Sequence, residues 1–418
     1  MQIEIEKINS YGDGYAILNN KKVIVPKTAI GDIVECKALK ENKNFINAEL
    51  VKVIEYSKDR IDYNKICPIY DFCGGCNLLH LNDKSYYNFK KNIVENALKL
   101  ANCNSIKSED IDIIHIGFNS RRRATLQVKN GKIGFFQKNT NNVIELNLCP
   151  LLDEKINKMI DNLKKLIQKI TKITEISITS YENGVGLLFA LNTALNKEDN
   201  EILTNFSNIE KNIITISCKI NNEYPALFIQ KCLPQLTFNN GIKIDLPINV
   251  FLQATLKGQQ EITNIVIDNL KYCKNVLDLY CGIGTYSFPL STYTKVHAVE
   301  GSDVMVNIMN QNIISNKLNN KITAECKNLV EAPLLLNELN NYDGVVINPP
   351  RNGAKSQCQI IAKSNIKIVV MVSCNPQTFS TDVKELLENG YSMKKVVGID
   401  QFYRTQHLEI VGVLTKLT

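Results

Sequence analysis

From about residue 246 onward the chain repeats one pattern, a short and strongly apolar run followed by a helix-length segment. The runs are Val276-Leu277-Asp278-Leu279-Tyr280, Val296-His297-Ala298-Val299, Val345-Val346-Ile347 and Ile366 to Val372. Strands this apolar are buried on both faces, unlike antiparallel strands with one wet face. Separated by helices, they build βαβ units on a parallel sheet, so residues 246–418 are expected to form an open α/β domain of the Rossmann-like kind. Ligands bind such sheets at the carboxyl ends of the strands. The residues that follow each run are therefore the candidates for a site.

The rest of the chain reads differently. Residues 1–56 hold short strands with turn signals: Ile3 to Ile5, Tyr15 to Leu18, Val23 to Val25, Ile33 to Cys36 and Ala48 to Ile54. Asn19-Asn20 suits a tight hairpin between the second and third. Five short strands in so few residues predict a small β-barrel. Residues 57–245 are expected to form a central α+β domain. In it, Tyr86, Phe89, Ile93, Ala97 and Leu100 recur at three- and four-residue steps, predicting a helix over 83–102. That helix is also a candidate to pack on the carboxyl-terminal domain. Residues 111–245 read as strands plus one helix, Leu151 to Ile170. The organisation is thus multi-domain α/β: a barrel at 1–56, a central domain at 57–245 and a Rossmann-like domain at 246–418.

Nothing in the chain approaches the roughly 18 apolar residues of a membrane span. The start, MQIEIEKINS, lacks the apolar core of a secretory signal. A soluble, cytoplasmic monomer is expected. The net charge of +7 permits a nucleic-acid partner without requiring one.

Thirteen cysteines in such a chain argue for a metal or cluster rather than a disulfide framework. Cys67, Cys73 and Cys76 lie close together around Gly74-Gly75, and Cys149-Pro150 follows 73 residues after Cys76. Three near thiols and a remote fourth can close a tetrahedral, thiolate-only site. That donor set suits zinc or an iron–sulfur cluster, and the three-plus-one spacing is unlike the paired CxxC of a zinc ribbon.

After the first apolar run comes Cys281-Gly282-Ile283-Gly284-Thr285. The glycines let a ligand approach the backbone. Glu300, 22 residues after Asp278, ends the next strand, where a carboxylate grips a ribose diol. Position 287 is Ser, so the third glycine of a dinucleotide fingerprint is missing. An adenosine ligand without phosphates fits better, which favours S-adenosylmethionine. After the Gly344 to Ile347 strand comes Asn348-Pro349-Pro350-Arg351-Asn352-Gly353, a rigid loop whose Asn348 can hydrogen-bond a base edge.

After the last strand comes Val372-Ser373-Cys374-Asn375-Pro376. Carbon 5 of uracil is too weak a nucleophile to take a methyl group unaided. A thiolate that adds to carbon 6 makes the ring an enolate, and a base must then remove the carbon 5 proton. Cys374 suits the first task. Glu409, in His407-Leu408-Glu409, suits the second.

Together these residues resemble the RNA 5-methyluridine methyltransferase family over nearly the whole chain. The resemblance implies a [4Fe-4S] cluster on Cys67, Cys73, Cys76 and Cys149. It implies S-adenosylmethionine contacts from Gln253 in Phe251-Leu252-Gln253, from Tyr280, Thr285 and Glu300, and from Asn328 in Asn328-Leu329, with Asn348 at the same crevice. It implies Cys374 as nucleophile and Glu409 as base. The amino-terminal strands are similar to a TRAM domain, an RNA-binding barrel. Family members with both barrel and cluster mostly modify 23S ribosomal RNA, so that is the expected substrate. Transfer RNA is the alternative, and a catalytically altered, cluster-bearing RNA-binding protein is a further one. Three positions depart from the family pattern. Asn348 stands where Asp is usual, and Thr285 and Thr255 where Asn is usual. The chain has no Trp, so stacking on RNA falls to Tyr, Phe or Arg. Arg121-Arg122-Arg123 is the densest basic run and a candidate for phosphate contact.

Overall fold

A computed structural model describes residues 1–221 and 223–417. Six strands, β1 to β6 (Gln2–Glu4, Lys7–Ile8, Gly14–Leu18, Lys21–Val25, Ile33–Glu41 and Phe45–Glu55), form one sheet in the order β1-β5-β6-β4-β3-β2. The β3–β4 hairpin turns at Asn19 (φ 49°) and Asn20 (φ 59°), both left-handed. Asparagine tolerates that region, and the two-residue loop needs it twice. Ile3, Ile5, Val23, Val25, Val34 and Cys36 fill the interior. The barrel is pinned to the segment that follows. Arg60 makes a buried, bidentate ion pair with Asp32, its Nη2 lying 2.7 Å from Oδ2. Lys27 donates to the carbonyls of Tyr70, Asp71 and Cys73.

Helix α1 (Asp83–Leu100) is capped by Asn82, whose side chain accepts from Ser85 N at 2.8 Å. The strand β7 (Asp112–His115) follows. Next come β8, β9 and β10 (Arg123–Lys129, Lys132–Phe136, Val143–Glu145), α2 (Glu154–Lys169), β11 and β12 (Ile173–Tyr181, Gly184–Leu191), α3 (Lys197–Ile209), and β13 and β14 (Ile213–Ile220, Ala226–Gln230). Apart from β7, these strands make a seven-stranded sheet, β10-β9-β8-β11-β12-β13-β14, packed on α2 through Ile156, Ile160, Leu163 and Ile167.

One expectation is corrected here. The central region holds a second helix, α3, where strands alone were expected. Its apolar residues are few, Ile202, Leu203 and Phe206 being the ones that reach the core, so its helical stripe is faint. The flanking pieces are placed by the core each one joins. The strand β7 pairs in parallel with a late strand of the carboxyl-terminal sheet, Ile113 against Gly398. The inner face of α1, through Val94, Ala97 and Leu98, shares a core with Leu277, Val345 and Phe379. The hairpin β15–β16 (Gln235–Thr237, Lys243–Asp245) likewise packs Leu236 and Ile244 against Ile283 and Met309. Segments 83–115 and 235–245 thus belong structurally with the last domain.

That domain carries α4 (Leu256–Leu270), β17 (Asn275–Leu279), α5 (Ser287–Leu290), β18 (Lys295–Glu300), α6 (Asp303–Ser315), β19 (Ile322–Cys326), α7 (Leu336–Leu339), β20 (Gly344–Ile347), α8 (Lys355–Lys363), β21 (Ile368–Ser373), α9 (Pro376–Leu387), β22 (Tyr391–Asp400) and β23 (Glu409–Lys416). The sheet order is β19-β18-β17-β20-β21-β23-β22-β7. Strands β17 to β21 run parallel, and β23 is inserted antiparallel between β21 and β22. Strand order reverses between β17 and β20, which opens a crevice at their carboxyl ends. Among the described residues no helix is long and apolar enough to cross a membrane.

Candidate active site

The inserted strand β23 brings the two reactive candidates together. Ser373 on β21 pairs with Ile410 on β23. Cys374 directly follows β21 and Glu409 opens the neighbouring β23, so the Glu409 charge is felt at the Cys374 thiol. Cys374 is half-buried and Glu409 is 4% exposed. Gln401, in the loop between β22 and β23, donates from Nε2 to Glu409 Oε1 at 3.1 Å and to Gln253 Oε1 at 2.7 Å. That chain of amides ties the carboxyl group to the Phe251-Leu252-Gln253 segment.

The electrostatics follow from burial. Loss of solvent pushes the Glu409 carboxyl up to about 7, and the Gln401 donor and the Arg351 guanidinium pull it back only in part. The Cys374 thiol is also raised, by burial first and by the charge of Glu409 second. Arg351 opposes this as a charge and as a hydrogen-bond donor. Cys374 also precedes the amino terminus of the twelve-residue helix α9, whose dipole favours an anion there. Asn375 caps that helix, accepting from Gln377 N at 3.0 Å, and donates to the Arg351 carbonyl at 3.0 Å. The Ser-Cys-Asn-Pro turn and the Asn-Pro-Pro-Arg loop are thus fastened to each other. Gly353 (φ 77°) completes the loop where a Cβ would lie 2.8 Å from Asp382 Oδ2, the oxygen that accepts from Ala354 N.

The crevice beside this pair gathers most of the expected cofactor residues. Tyr280, at the end of β17, takes a left-handed φ of 61°, a strained backbone of the kind that collects at ligand sites. Glu300, at the end of β18, accepts from Gly282 N at 2.9 Å and from Ser302 N at 3.2 Å. A Cβ on Gly282 (φ 57°) would meet nothing within 4 Å, so the glycine faces open space. Thr285 is half-buried, and Asn328 is exposed past β19. Asn348 donates to the Tyr286 hydroxyl at 3.4 Å. Thr255 is the fully buried cap of α4, accepting from Gly258 N at 3.0 Å.

Four further residues at the site went unassigned in the sequence reading. Arg351 was quoted there without a role. Gln401 lies outside every motif. Tyr286 is buried against Gln253, Asn348 and Glu409. Asp278 is fully buried, with one oxygen taking the Ser287 hydroxyl at 2.6 Å and the other, Oδ1, without a partner among the described residues. Only Asp278 carried a sequence signal, a carboxylate inside an apolar strand.

The basic run behaves otherwise than expected. Arg122 is 6% exposed and donates to the Gln253 carbonyl at 2.9 Å and to Gln259 at 2.7 Å. Arg123 donates to the Leu252 carbonyl at 2.9 Å and lies over the Phe251 ring. These arginines brace the Phe251–Ala254 segment from behind, and Arg122 is too deep for a phosphate.

All four clustered cysteines line one cavity of about 450 Å³, together with Arg121, Gln253 and Phe402. None is in a disulfide. Cys73 Sγ accepts from Gly75 N at 3.3 Å, and Gly74 lies so near the Phe136 carbonyl that a Cβ would stand 2.7 Å from it. Burial raises all four thiols, Cys149 to about 11, and their charges oppose one another around Cys76. Among the described residues no three His, Cys, Asp or Glu side chains close tightly enough to hold a single metal ion.

A parallel sheet with a glycine-lined crevice, and a thiol beside a buried carboxyl group at its edge, are what an S-adenosylmethionine-dependent methyltransferase acting on pyrimidine carbon 5 requires. The profile of the tRNA (uracil-5-)-methyltransferase family matches residues 90–417, and that of the TRAM domain of tRNA (uracil(54)-C(5))-methyltransferase matches residues 1–58. The chain belongs to this family of RNA uracil-C5 methyltransferases. It is 30% identical to an RNA methyltransferase of Mesorhizobium japonicum, across 99% of this chain and 97% of that one. It is 27% identical to the 23S rRNA (uracil(1939)-C(5))-methyltransferase of Shewanella sediminis, across 98% and 95%. The crystal structure of the Pyrococcus abyssi tRNA (uracil-54, C5)-methyltransferase, in complex with S-adenosyl-L-homocysteine, superposes with a TM-score of 0.78. That match covers 99% of this chain and all of that one, at 19% identity.

The pH dependence follows from the buried carboxyl group. A base must be ionised to accept a proton, so proton removal should fall as pH drops below about 7, whereas an ordinary glutamate would stay ionised there. Arg351→Ala removes the charge that lowers both Cys374 and Glu409. Its single-turnover pH profile is expected to shift to the alkaline side relative to the unaltered enzyme. An unshifted profile would show that Arg351 does not act on these groups.

Proposed function

We propose that this enzyme methylates carbon 5 of a uridine in 23S ribosomal RNA, with Cys374 as nucleophile and Glu409 as base. The observation that supports the mechanism is that β21 and β23 pair as neighbours, with Cys374 just past the end of one and the buried Glu409 carboxyl group at the start of the other. The Cys374 sulfur bonds to uracil carbon 6, and carbon 5 gains the electron density of an enolate. S-adenosylmethionine, when bound, supplies the electrophilic methyl group. Glu409 then takes the carbon 5 proton, the carbon 6–sulfur bond breaks, and the thiolate is restored. Arg351 favours the thiolate and steadies developing negative charge at the same mouth.

The crevice suits that cofactor. Gly282 opens onto empty space, Glu300 would take a ribose diol, and Asp278 Oδ1 lacks a partner among the described residues. Gln253, Tyr280, Thr285, Glu300 and Asn328 would hold it, with Asn348 and Tyr286 toward the target base. The amide of Asn348 can both accept from uracil N3–H and donate to O4 with no change of protonation, which suits a uracil edge without the usual carboxylate.

The four cysteines share one cavity, and a thiolate-only donor set suits an iron–sulfur cluster. Cys67, Cys73, Cys76 and Cys149 would supply the four thiolates of a [4Fe-4S] group. In the domain partition we favour, 1–56 is the RNA-binding barrel, the cysteine segment and the α2–α3 sheet form the centre, and 83–115 and 235–418 form the methyltransferase.

Full-length similarity to 23S ribosomal RNA enzymes supports the substrate. Transfer RNA stays as the second reading, because the Pyrococcus abyssi tRNA enzyme shares the fold over 99% of this chain. The barrel profile itself comes from a tRNA enzyme, so the barrel does not separate the two substrates.

Mapping 5-methyluridine in both RNAs, from cells with and without the gene, is expected to show one 23S position losing its methyl group. Loss from transfer RNA instead would move the assignment there. Cys374→Ala should bind S-adenosylmethionine and transfer nothing, and Glu409→Gln should accumulate a covalent methylated RNA adduct visible on denaturing gels. Turnover by Cys374→Ala would end the mechanism. Anaerobically purified protein should contain iron and acid-labile sulfide and lose both on Cys149→Ala. A zinc-loaded, colourless preparation would refute the cluster.

A further inference from the structure

The loop 401–408 joins β22 to β23 and carries Gln401 just before the proposed base. It is held from outside the sheet by a buried polar network. At its centre is Asp400, the last residue of β22, which is fully buried. Lys90, on the inner face of α1 and also fully buried, lies 2.8 Å from Asp400 Oδ1. The other oxygen, Oδ2, receives the Tyr86 hydroxyl at 2.7 Å and contacts His115 Nδ1 at 2.8 Å. Lys90 reaches one step further and donates to the carbonyl of His407, two residues before Glu409. The Tyr86 oxygen in turn accepts from Arg404 N at 2.7 Å.

Arg404 is the strained point of the loop, with a φ of 60°. A side chain is held in that region only where its surroundings over-determine it. Its guanidinium donates to the Leu81 carbonyl at 2.8 Å and pairs with Asp83 at 2.6 Å, and its carbonyl accepts from Asn77 N and Leu78 N. Both ends of the loop are thereby fixed, at Asp400 and at His407, by groups that touch neither crevice nor thiol. A lysine buried completely carries a heavy desolvation cost. Fold alone gives no reason to spend it beside a loop tip.

We propose that Lys90 and Tyr86 are positioning residues for Glu409, acting through Asp400 and the His407 carbonyl to hold the 401–409 segment in the geometry that proton removal needs. The idea rests on Glu409 as base. Both side chains lie on α1, so a helix outside the βαβ repeat sets the alignment of the last chemical step. Addition of Cys374 and methyl transfer, which use other elements, do not need the network.

The test follows adduct formation and turnover in three variants of the full chain. Tyr86→Phe removes one hydroxyl and is isosteric. Lys90→Met removes the charge and strands Asp400. Glu409→Gln is the control. Lys90→Met is expected to lower turnover about 10²-fold, the scale of a misplacement near 1 Å, and Tyr86→Phe to lower it less. KM for RNA and for S-adenosylmethionine should stay near the unaltered values, and methylated covalent adduct should accumulate as in Glu409→Gln. Should Lys90→Met fail to fold, Tyr86→Phe carries the test alone. Normal turnover in Tyr86→Phe, or a loss seen only in RNA KM with no adduct, would overturn the positioning role. Absence of adduct in Glu409→Gln, with adduct or not elsewhere, would overturn the base assignment and this proposal with it.

Discussion

The antiparallel insertion of β23 between β21 and β22 is the constraint from which the site follows. A purely parallel sheet would place the end of every strand on one rim, each facing a loop and a helix. Reversing one strand puts its first residue, rather than its last, at that rim. The first residue of β23 is Glu409, and Cys374 follows Ser373, the last residue of β21, which pairs with Ile410. Cys374 and Glu409 stand 35 positions apart in the chain. The ladder between the two strands ends beside them and so brings them near each other. Register is rigid here because β23 is buried along nearly its whole length, so a slip of one residue would turn apolar side chains onto the wrong face.

Burial then decides the chemistry at both positions, and in opposite senses. A carboxyl group raised toward 7 is a stronger base once ionised, which suits proton removal from carbon. A raised thiol is a poorer nucleophile source at neutral pH, which is why the Asn-Pro-Pro-Arg loop matters. Arg351 projects from a proline-stiffened turn that is pinned to Asn375 and to α9. Its charge lowers both groups, and it stays exposed enough to be displaced or engaged by an incoming base. With Asn348 in place of the usual family Asp, the loop meets the Tyr286 hydroxyl with an amide rather than a charge.

Much of this was legible in the sequence, for a physical reason. Each recognisable motif follows an apolar run, and the run's end marks the rim of the crevice. Glu300, Asn348 and Cys374 could therefore be placed without knowing a single tertiary contact. The hairpin at Asn19-Asn20 was legible because its left-handed residues are written locally. What escaped was non-local. Gln401 matters through bonds to Gln253 and Glu409, 148 and 8 residues away. The arginine run looked like a surface patch because charge usually means solvent, yet Arg122 turns its donors inward, to the Gln253 carbonyl and the Gln259 side chain. Strand β7 read as a central-region element because of its place in the chain, and only its pairing with β22 shows which sheet it joins, while helix α1, already a candidate for the last domain, packs on α9.

That placement changes how the cysteine segment relates to catalysis. Residues 67–78 are held on one side by Lys27 of the barrel and on the other by Arg404, whose carbonyl takes Asn77 N and Leu78 N. The cavity lined by the four thiols also includes Gln253 and Phe402, which flank the base-holding amides. A group bound there would brace the same loop that α1 braces from behind, and would do so without exchanging electrons with the substrate. Methyl transfer to carbon 5 is redox-neutral, since the sulfonium leaves as a thioether and the proton goes to a carboxylate. Methyl transfer therefore asks no electron transfer of the cysteine site, which lies against the same loop through the Arg404 carbonyl.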